Sequence, residues 1–472
     1  MNRIRRGALV VGLATSAFTL ASLGGRPALA QEITGRVTGR VSDQDTGASL
    51  AGVTVIVQGP QGEDATITDD KGLYQFTGLV VGTYTIRFYM ANSATQVEQP
   101  GVVVSAEKTV RVNAKVATQA QAAAQQTYVI TGKAPAIDVG SARVGTTFDE
   151  DYTLHLALGT TFGDVIAKAP GAFVDASGNV SIGGATGLEN IYMVNGLNVT
   201  GLRYGNLEAG VPTIGGGSNL PNEFLTQIDV NSGGYQAEFG GAMGGVINTV
   251  LKSGSNEFHG SVFGSYSPYW LSASPTDVKT IGSSIGGVKK PDFDDRIGFE
   301  VGGPIIPNKL FFWIGMAPQI TDDHRFRLVY QQQENGSAAQ LLPNDTQRLN
   351  ETHRSYSYAA NFDFIPKPDH KLSVSVMGTP DFNNQLRSFT GFELDSAFPS
   401  GGQASWAQES LTKTNTDVSA HWTSKLFDRH WTIEALGGFH DEYLYDRSPS
   451  NTLNNLNQLE YYGSNLGTLE NL

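Results

Sequence analysis

Long segments in which apolar and polar residues alternate dominate the sequence after His259. In one of them the apolar face consists of Tyr356, Tyr358, Ala360, Phe362 and Phe364. Residues 416–422 and 431–439 repeat this period of two. Such alternation is typical of a transmembrane β-barrel, in which lipid-facing apolar residues alternate with lumen-facing polar ones. A soluble antiparallel sheet also alternates and is the alternative interpretation.

Beyond the N-terminal region, no segment is apolar over the length that a membrane-spanning helix needs. A chain without such a helix crosses a membrane only as a closed sheet, because unpaired backbone groups are costly in lipid. We count about seven candidate strands, whereas single-chain bacterial barrels have an even number. We therefore expect a partial outer-membrane β-barrel over residues 257–472, in an N-terminal fragment of a longer chain or a truncated gene product.

Aromatic clusters and turn lengths fit the barrel interpretation. Tyr269-Trp270 and Phe311-Phe312-Trp313 are predicted to form aromatic belts at the membrane interfaces. Short turns at 304–308, 366–369 and 425–429 alternate with long polar loops, as periplasmic turns alternate with extracellular loops.

The N-terminus has the layout of a cleavable signal peptide over residues 1–30. Arg3, Arg5 and Arg6 precede a mostly apolar stretch over 8–23, and Ala28-Leu29-Ala30 forms a cleavage site. The alternative is a hydrophobic N-terminal helix. We expect export and a final location in the cell outer membrane.

Composition excludes several function classes. The net charge of −13 argues against a nucleic-acid partner, since phosphate binding needs a basic surface. The absence of cysteine excludes thiolate metal sites. The 56 glycines and the 10% of aromatic residues suit strands and turns, and so predict a mainly β fold.

Residues 33–116 contain short β-prone bursts separated by glycine and Asp/Asn turns, which predicts a small β-sandwich. An alanine- and glutamine-rich stretch over 117–126 follows and is interpreted as a linker, or alternatively as the end of a helix. Residues 133–256 are glycine-rich and predict an α+β domain. Its helices are expected at 161–168 and near Pro221.

Two segments of this α+β region carry specific motifs. Val194-Asn195-Gly196-Leu197 is a hairpin signal, and 245–250 is an apolar strand. Glycine pairs permit positive φ and close backbone approach. The motif positions are Gly183, Gly184, Asn195, Gly196, Gly240, Gly244, Gly245 and Asn248.

With these motifs the chain resembles the TonB-dependent outer-membrane receptors, especially the Oar-like branch with an N-terminal carboxypeptidase-regulatory-like domain. The sandwich signature is present at 39–43, 50–55 and 69–76, and the α+β region matches the plug of these receptors. The resemblance implies a plug inside a barrel that is monomeric, in contact with outer-membrane lipid, and energised by a periplasmic TonB-like protein. An extracellular substrate is implied as well.

The chain departs from the family pattern at two motif positions. The family usually has arginine before the glycine where this chain has Gly183, and aspartate before glycine where it has Asn195. The charged links that these two residues make between plug and barrel are therefore not expected here.

The resemblance also implies an energy-coupling segment, the TonB box, immediately before the plug. The matching residues are Thr127, Tyr128, Val129, Ile130, Thr131 and Gly132. A short β-prone segment after a flexible linker is able to add as a strand to a partner's sheet. The alternative is an ordinary first strand of the plug.

We find no catalytic constellation and predict that the chain is not an enzyme and has no cofactor. Gly282-Ser283-Ser284-Ile285-Gly286 matches a serine-hydrolase pattern but lies in a polar loop without a strand–turn–helix context. The scattered histidines form no metal motif. The sequence therefore predicts an energised outer-membrane receptor. The alternative is a truncated or non-transporting surface or periplasmic binding or adhesion protein.

Overall fold

β-Strands account for most of the regular secondary structure, which confirms the prediction of a mainly β chain. The computed structural model describes residues 33–90, 96–116, 127–129, 143–155, 160–175, 179–202, 205, 207, 220–235, 239–271, 285–331, 340–341, 347–386, 408–427, 429 and 431–447. The expected signal peptide, the linker over 117–126, and Ile130, Thr131 and Gly132 of the coupling segment lie outside these residues.

The N-terminal unit is a sandwich of two sheets. Its strands are β1 (Gly35–Asp43), β2 (Thr54–Gly59), β3 (Gly62–Ile67), β4 (Leu73–Leu79), β5 (Gly82–Tyr89), β6 (Gln96–Val104), β7 (Thr109–Arg111), β8 (Ala114–Val116) and β9 (Thr127–Val129). One sheet has the order β4-β1-β7 with β8 also on β1, and the other has the order β3-β2-β5-β6-β9.

Alternation along these strands buries one face of each sheet. The fully buried side chains include Val41, Phe76, Ile86 and Phe88, which belong to one hydrophobic cluster. Tyr74 lies in this cluster and donates its hydroxyl to the Val112 carbonyl oxygen at 2.6 Å. Burial raises the pKa of Tyr74 above its ordinary value, so this hydroxyl stays a donor.

Residues 143–252, here called the inner domain, combine a central sheet with short helices. The elements are β10 (Val144–Asp149), α1 (Glu150–His155), α2 (Phe162–Ile166), β11 (Ala172–Val174), β12 (Val180–Ile182), β13 (Ile191–Val194), β14 (Leu197–Asn198), β15 (Leu225–Gly233) and β16 (Val246–Leu251). The main sheet has the order β10-β15-β16-β13-β14.

Local sequence signals account for these helices and turns. α2 starts where predicted, because the Asp164 carboxylate accepts a bond from the Thr161 N–H at 3.0 Å. The helix expected near Pro221 is a single 3-10 turn over Asn222–Phe224. The predicted hairpin is present, with Val194 facing Leu197 and positive φ values of 46° at Asn195 and 77° at Gly196.

The C-terminal unit, here called the wall sheet, is antiparallel throughout. Its strands are β17 (His259–Pro268), β18 (Ile285–Ile306), β19 (Leu310–Gln331), β20 (Gln340–Leu341), β21 (Gln347–Lys367), β22 (His370–Gly378), β23 (Asp381–Leu386), β24 (Gln408–Leu426) and β25 (Trp431–Arg447). β22 and β23 pair with the same two neighbours, β21 and β24, and so act as one interrupted strand.

The wall sheet has the two faces that alternation predicted. Ala359, Asn361 and Asp363 are buried on the inner face, while Phe362 and Phe364 are exposed on the outer face. The prediction of an aromatic belt at residues 311–313 is wrong for Phe311 and Trp313.

Phe311 and Trp313 are fully buried on the inner face and not at a membrane interface. Sequence alternation alone does not distinguish an aromatic residue that faces lipid from one that packs on another domain, since both are apolar. Trp270 of the other expected belt is exposed, as predicted.

Among the described residues, no helix is both long enough and apolar enough to cross a membrane.

Candidate functional site between the inner domain and its surroundings

The Asn195-Gly196 turn joins the inner domain to the wall sheet. Asn195 is buried, and its side-chain oxygen accepts the Leu251 N–H at 2.9 Å. Its side-chain amide donates to the Ser375 hydroxyl oxygen on β22 at 2.7 Å. A neutral hydrogen bond therefore stands at this position, where the family usually has a charge.

This bond continues into a short polar chain on the wall sheet. The Ser375 hydroxyl donates to the Asn361 side-chain oxygen at 3.4 Å. The Asn361 amide in turn donates to the Lys252 carbonyl oxygen of the inner domain at 3.3 Å. The inner domain is thus hydrogen-bonded to two wall strands, to β22 through Ser375 and to β21 through Asn361.

Asn190 holds the glycine-rich motifs of the inner domain together. Its side-chain amide donates to the Val180 carbonyl at 2.6 Å and to the Tyr192 hydroxyl at 3.0 Å. Its side-chain oxygen accepts the Gly245 N–H at 2.7 Å. A Cβ at Gly244 would lie 2.4 Å from that oxygen, which explains why this position is glycine.

Tyr192 is buried beside Asn190 in the same cluster. Burial raises the pKa of Tyr192 to about 12, and the hydrogen bond from Asn190 acts in the opposite direction. The Tyr192 hydroxyl therefore remains protonated in the physiological range.

The other predicted glycines serve backbone conformation or close packing. Gly183 and Gly184 have φ values of 64° and 88° in an exposed turn after β12. A Cβ at Gly245 would lie 2.6 Å from Ile182 Cδ1. Gly240 lies in an exposed turn. These four glycines therefore serve the local backbone and packing of the domain.

A buried ion cluster ties the end of the inner domain to β18. The Lys252 ammonium lies 2.7 Å from Glu300 and 2.8 Å from Glu150. The Glu300 carboxylate also accepts hydrogen bonds from Ser261 at 3.0 Å and from the Trp313 indole at 3.1 Å. Each buried charge in this cluster therefore has polar partners.

The surroundings of Lys252 act on its pKa in two directions. Burial alone lowers the pKa of Lys252, but the hydrogen bonds to Glu150 and Glu300 outweigh burial and raise it. The ammonium therefore stays charged at neutral pH.

A second ion pair and an aromatic cluster join the same two units. Arg296 of β18 pairs with Glu223 and donates to the Thr160 carbonyl at 3.1 Å. Phe224 packs edge-on against Trp313, with ring centroids 5.5 Å apart. Lys252 and Arg296 thus both make ion pairs between the inner domain and the wall.

The sandwich contacts the central strands of the inner domain. Asn248 of β16 donates its side-chain amide to Glu107 at 3.2 Å, and Glu107 also pairs with Arg143. Lys108 lies 3.4 Å from Asp229 of β15. The predicted motif residue Asn248 therefore faces the sandwich.

The β2–β3 turn of the sandwich contacts the inner domain and the wall sheet together. Gln61 donates to Ser253 at 2.8 Å and to Asp363 at 2.8 Å, and accepts from Lys371 at 3.1 Å. Nearby, Arg429 donates to Asp64 at 2.7 Å.

All three short wall turns lie at this end, around a cavity of about 760 Å³ between the sandwich and the wall. The cavity lining includes Lys309, Pro368 and Lys425 from these turns or their flanking strands, and Glu63 from the sandwich.

Strand β9 contains the first three residues of the predicted coupling segment. It pairs in parallel with β6, with Gln96 facing Thr127 and Glu98 facing Val129. Within the described residues, these three form an edge strand of the sandwich and do not belong to the sheet of the inner domain, which has β10 at its edge.

Within the described ranges, no group of three or more His, Asp or Glu side chains is placed to hold a metal ion.

Two parts of the chain match family models. Residues 36–117 match the carboxypeptidase regulatory-like domain, and residues 250–327 match an outer membrane beta barrel domain.

Most of the chain is similar to the TonB-dependent transporter Oar of Myxococcus xanthus, at 29% identity over 442 residues. The alignment covers 88% of this chain and 40% of Oar. The chain is a homologue of Oar-like TonB-dependent transporters. The probable TonB-dependent siderophore receptor PirA of Acinetobacter baumannii is 37% identical over 99 residues, which are 21% of this chain and 11% of PirA. The chain thus spans less than half the length of these curated relatives.

A solved structure also resembles the chain. The outer membrane transporter YddB of Escherichia coli matches with a TM-score of 0.43 and 15% identity, over 65% of this chain and 40% of YddB.

This Oar homologue is an outer-membrane protein with a carboxypeptidase-regulatory-like domain and a partial β-barrel sheet, which confirms the predicted class and location. The named relatives are transporters and receptors rather than enzymes, in agreement with the prediction.

Several residues of the site were not singled out from the sequence. They are Gln61, Asn190, Lys252, Arg296 and Glu300. Each of them has at least one partner far away along the chain, which no local pattern reveals. The one available signal was that Lys252 is a lone cation immediately after a mostly apolar strand.

Proposed function

We propose that the chain forms the N-terminal part of an outer-membrane receptor that moves an extracellular substrate through a plugged barrel, energised by a TonB-like protein. The observation that carries this proposal is the similarity to Oar over 88% of the chain. The inner domain, within the predicted bounds 133–256, is the plug. The wall sheet, within 257–472, is the first part of the barrel.

The contacts of the inner domain support a plug that is held firmly and yet is able to move. Polar links such as Asn195–Ser375 and Lys252–Glu300 exchange readily for water once force separates them. A pulling force on the chain that leads into the plug would act on these polar contacts one after another. The sandwich and the short wall turns lie at one end, which we assign to the periplasmic side.

The coupling segment over 127–132 is proposed to bind the TonB-like partner by strand addition. Backbone hydrogen bonds supply most of the affinity in this binding mode, so a short β-prone segment suffices. The segment precedes the plug in the chain, and a pull on it is therefore transmitted to the plug.

A proline substitution tests the coupling proposal. Val129→Pro removes a backbone donor from the segment. We expect the full-length receptor with this change to bind the purified periplasmic domain of the organism's own TonB-like protein at least tenfold more weakly. Ala122→Pro, in the predicted linker, is the matched control and should bind normally. Equal binding by Val129→Pro and the native receptor would overturn the coupling proposal, because the partner would then bind elsewhere.

A further inference from the structure

The edge of the sandwich at β9 is an open strand edge. β9 is the last strand in the order β3-β2-β5-β6-β9, and β6 is its one neighbour in the described part of the chain. An edge strand pairs through the backbone groups of one side and presents those of the other side to an incoming strand. The first three residues of the coupling segment, 127–129, are therefore extended and have backbone groups facing outward.

We propose that the sandwich presents the coupling segment as its edge strand, and that a strand of the energy-transducing partner adds beside β9 while β9 stays on β6. The sandwich and the partner then share one continuous sheet. This inference rests on the proposed function, since it assumes that the partner binds residues 127–132.

Hydrogen-bond balance favours addition over displacement. A partner strand that replaced β6 would break the β6–β9 bonds in order to make its own, with little net gain. Addition at the open edge keeps the existing bonds and makes new ones. Residues 127–129 are also already extended, so the partner does not bear the cost of ordering them.

The position of the sandwich gives this arrangement a mechanical consequence. The same domain contacts the central strands of the inner domain through Glu107–Asn248 and Lys108–Asp229. A partner bound at β9 therefore pulls on the sandwich, which already contacts β15 and β16. The sandwich then relays force to the plug, in addition to the covalent path through residues 130–142.

A disulfide between the two strands tests the proposal, because the sequence contains no cysteine. Gln96 and Thr127 face each other in register, and neighbouring strands lie about 4.8 Å apart, within the range that a disulfide spans. Gln96→Cys/Thr127→Cys in the full-length receptor should therefore form the bond on oxidation. Gln75→Cys/Thr127→Cys, with Gln75 in the other sheet of the sandwich, should not.

The binding probe is the purified periplasmic domain of the organism's own TonB-like protein. We expect the oxidised Gln96→Cys/Thr127→Cys receptor to bind it within about threefold of the reduced form. Amide exchange at Val97 and Glu98 should stay slow on binding. A tenfold or greater loss of binding on oxidation, restored by reductant, would overturn the proposal, because the segment would then have to leave β6.

Other outcomes separate this inference from the coupling proposal. Failure of the disulfide to form overturns the presentation of β9 by the sandwich and leaves the coupling proposal standing. Normal binding by Val129→Pro overturns both, since the partner would then bind elsewhere. Loss of binding in Val129→Pro together with retained binding in the oxidised receptor supports both.

Discussion

Asn195 of the inner domain donates its side-chain amide to the Ser375 hydroxyl oxygen of the wall sheet at 2.7 Å, from a residue whose φ is +46°. Asn195→Ala should destabilise the native state by about 2–4 kcal/mol. Part of this cost arises because the Leu251 N–H loses its acceptor. The other part arises because alanine, unlike asparagine or glycine, disfavours a left-handed backbone conformation. Denaturant unfolding of the protein in micelles measures this loss of stability.

Asn195→Gly separates these two contributions. It loses the same hydrogen bonds but accepts positive φ without cost, so it should be about 1 kcal/mol more stable than Asn195→Ala. Equal stability of the alanine variant and the native protein would show that the bond to Ser375 contributes nothing.

The ion cluster around Lys252 yields a second prediction. Lys252→Met leaves the buried Glu300 without its ammonium partner, and breaking a buried ion pair in this way costs about 3–5 kcal/mol. Amide exchange in β16 should accelerate by at least a hundredfold. The double variant Lys252→Met/Glu300→Gln removes the uncompensated charge and should recover most of the loss. Exchange rates as fast in the double variant as in the single one would contradict this account.

The pH dependence of the same cluster follows from the direction of the pKa shift. The pKa of Lys252 is raised above 10.5, so the stabilisation by its charge is fully present below that pH and is lost as pH rises through the folded-state pKa. The difference in stability between the native protein and Lys252→Met should therefore be constant from neutral pH to about pH 10. Thermal unfolding across this range checks it.

Close packing at Gly254 yields a prediction about the wall. A Cβ there would lie 2.3 Å from the Phe312 carbonyl oxygen, and backbone moves less readily than a side chain. Gly254→Ala should therefore destabilise the native state by about 1–3 kcal/mol. Gly233→Ala is the matched control, since a Cβ at Gly233 has no atom within 4 Å. Similar melting temperatures for the two variants would refute the close contact.

Gln61 yields a prediction about the sandwich. Each hydrogen bond contributes about 0.5–1.5 kcal/mol net, and Gln61→Ala removes its bonds to Ser253, Asp363 and Lys371 together. The equilibrium between the docked and the undocked position of the sandwich should shift at least tenfold toward the undocked one. Spin labels on cysteines introduced at Lys71 and Lys367 would report a broader distance distribution. Gln58→Ala, an exposed residue of the same hairpin, should leave the distribution narrow.

Local periodicity and turn chemistry made much of the fold predictable. The alternation around Phe362 predicted which residues face inward, and Asn195-Gly196 predicted a two-residue hairpin. The positions of Phe311 and Trp313 were predicted wrongly. The neighbouring domain makes the inner face of the wall apolar there, and its sequence pattern is then the same as that of a face exposed to lipid. The pairing of Lys252 with Glu300 joins residues far apart in sequence, and no period or spacing encodes it.

The aromatic contact between Phe224 and Trp313 has a consequence for how the protein folds. Trp313, Ala317, Ala359 and Met377 of the wall belong to the same hydrophobic cluster as the interior of the inner domain. A wall built without that domain would expose these side chains to water. The inner domain and these wall strands therefore share one hydrophobic core. We expect them to fold together in a single step and not one after the other.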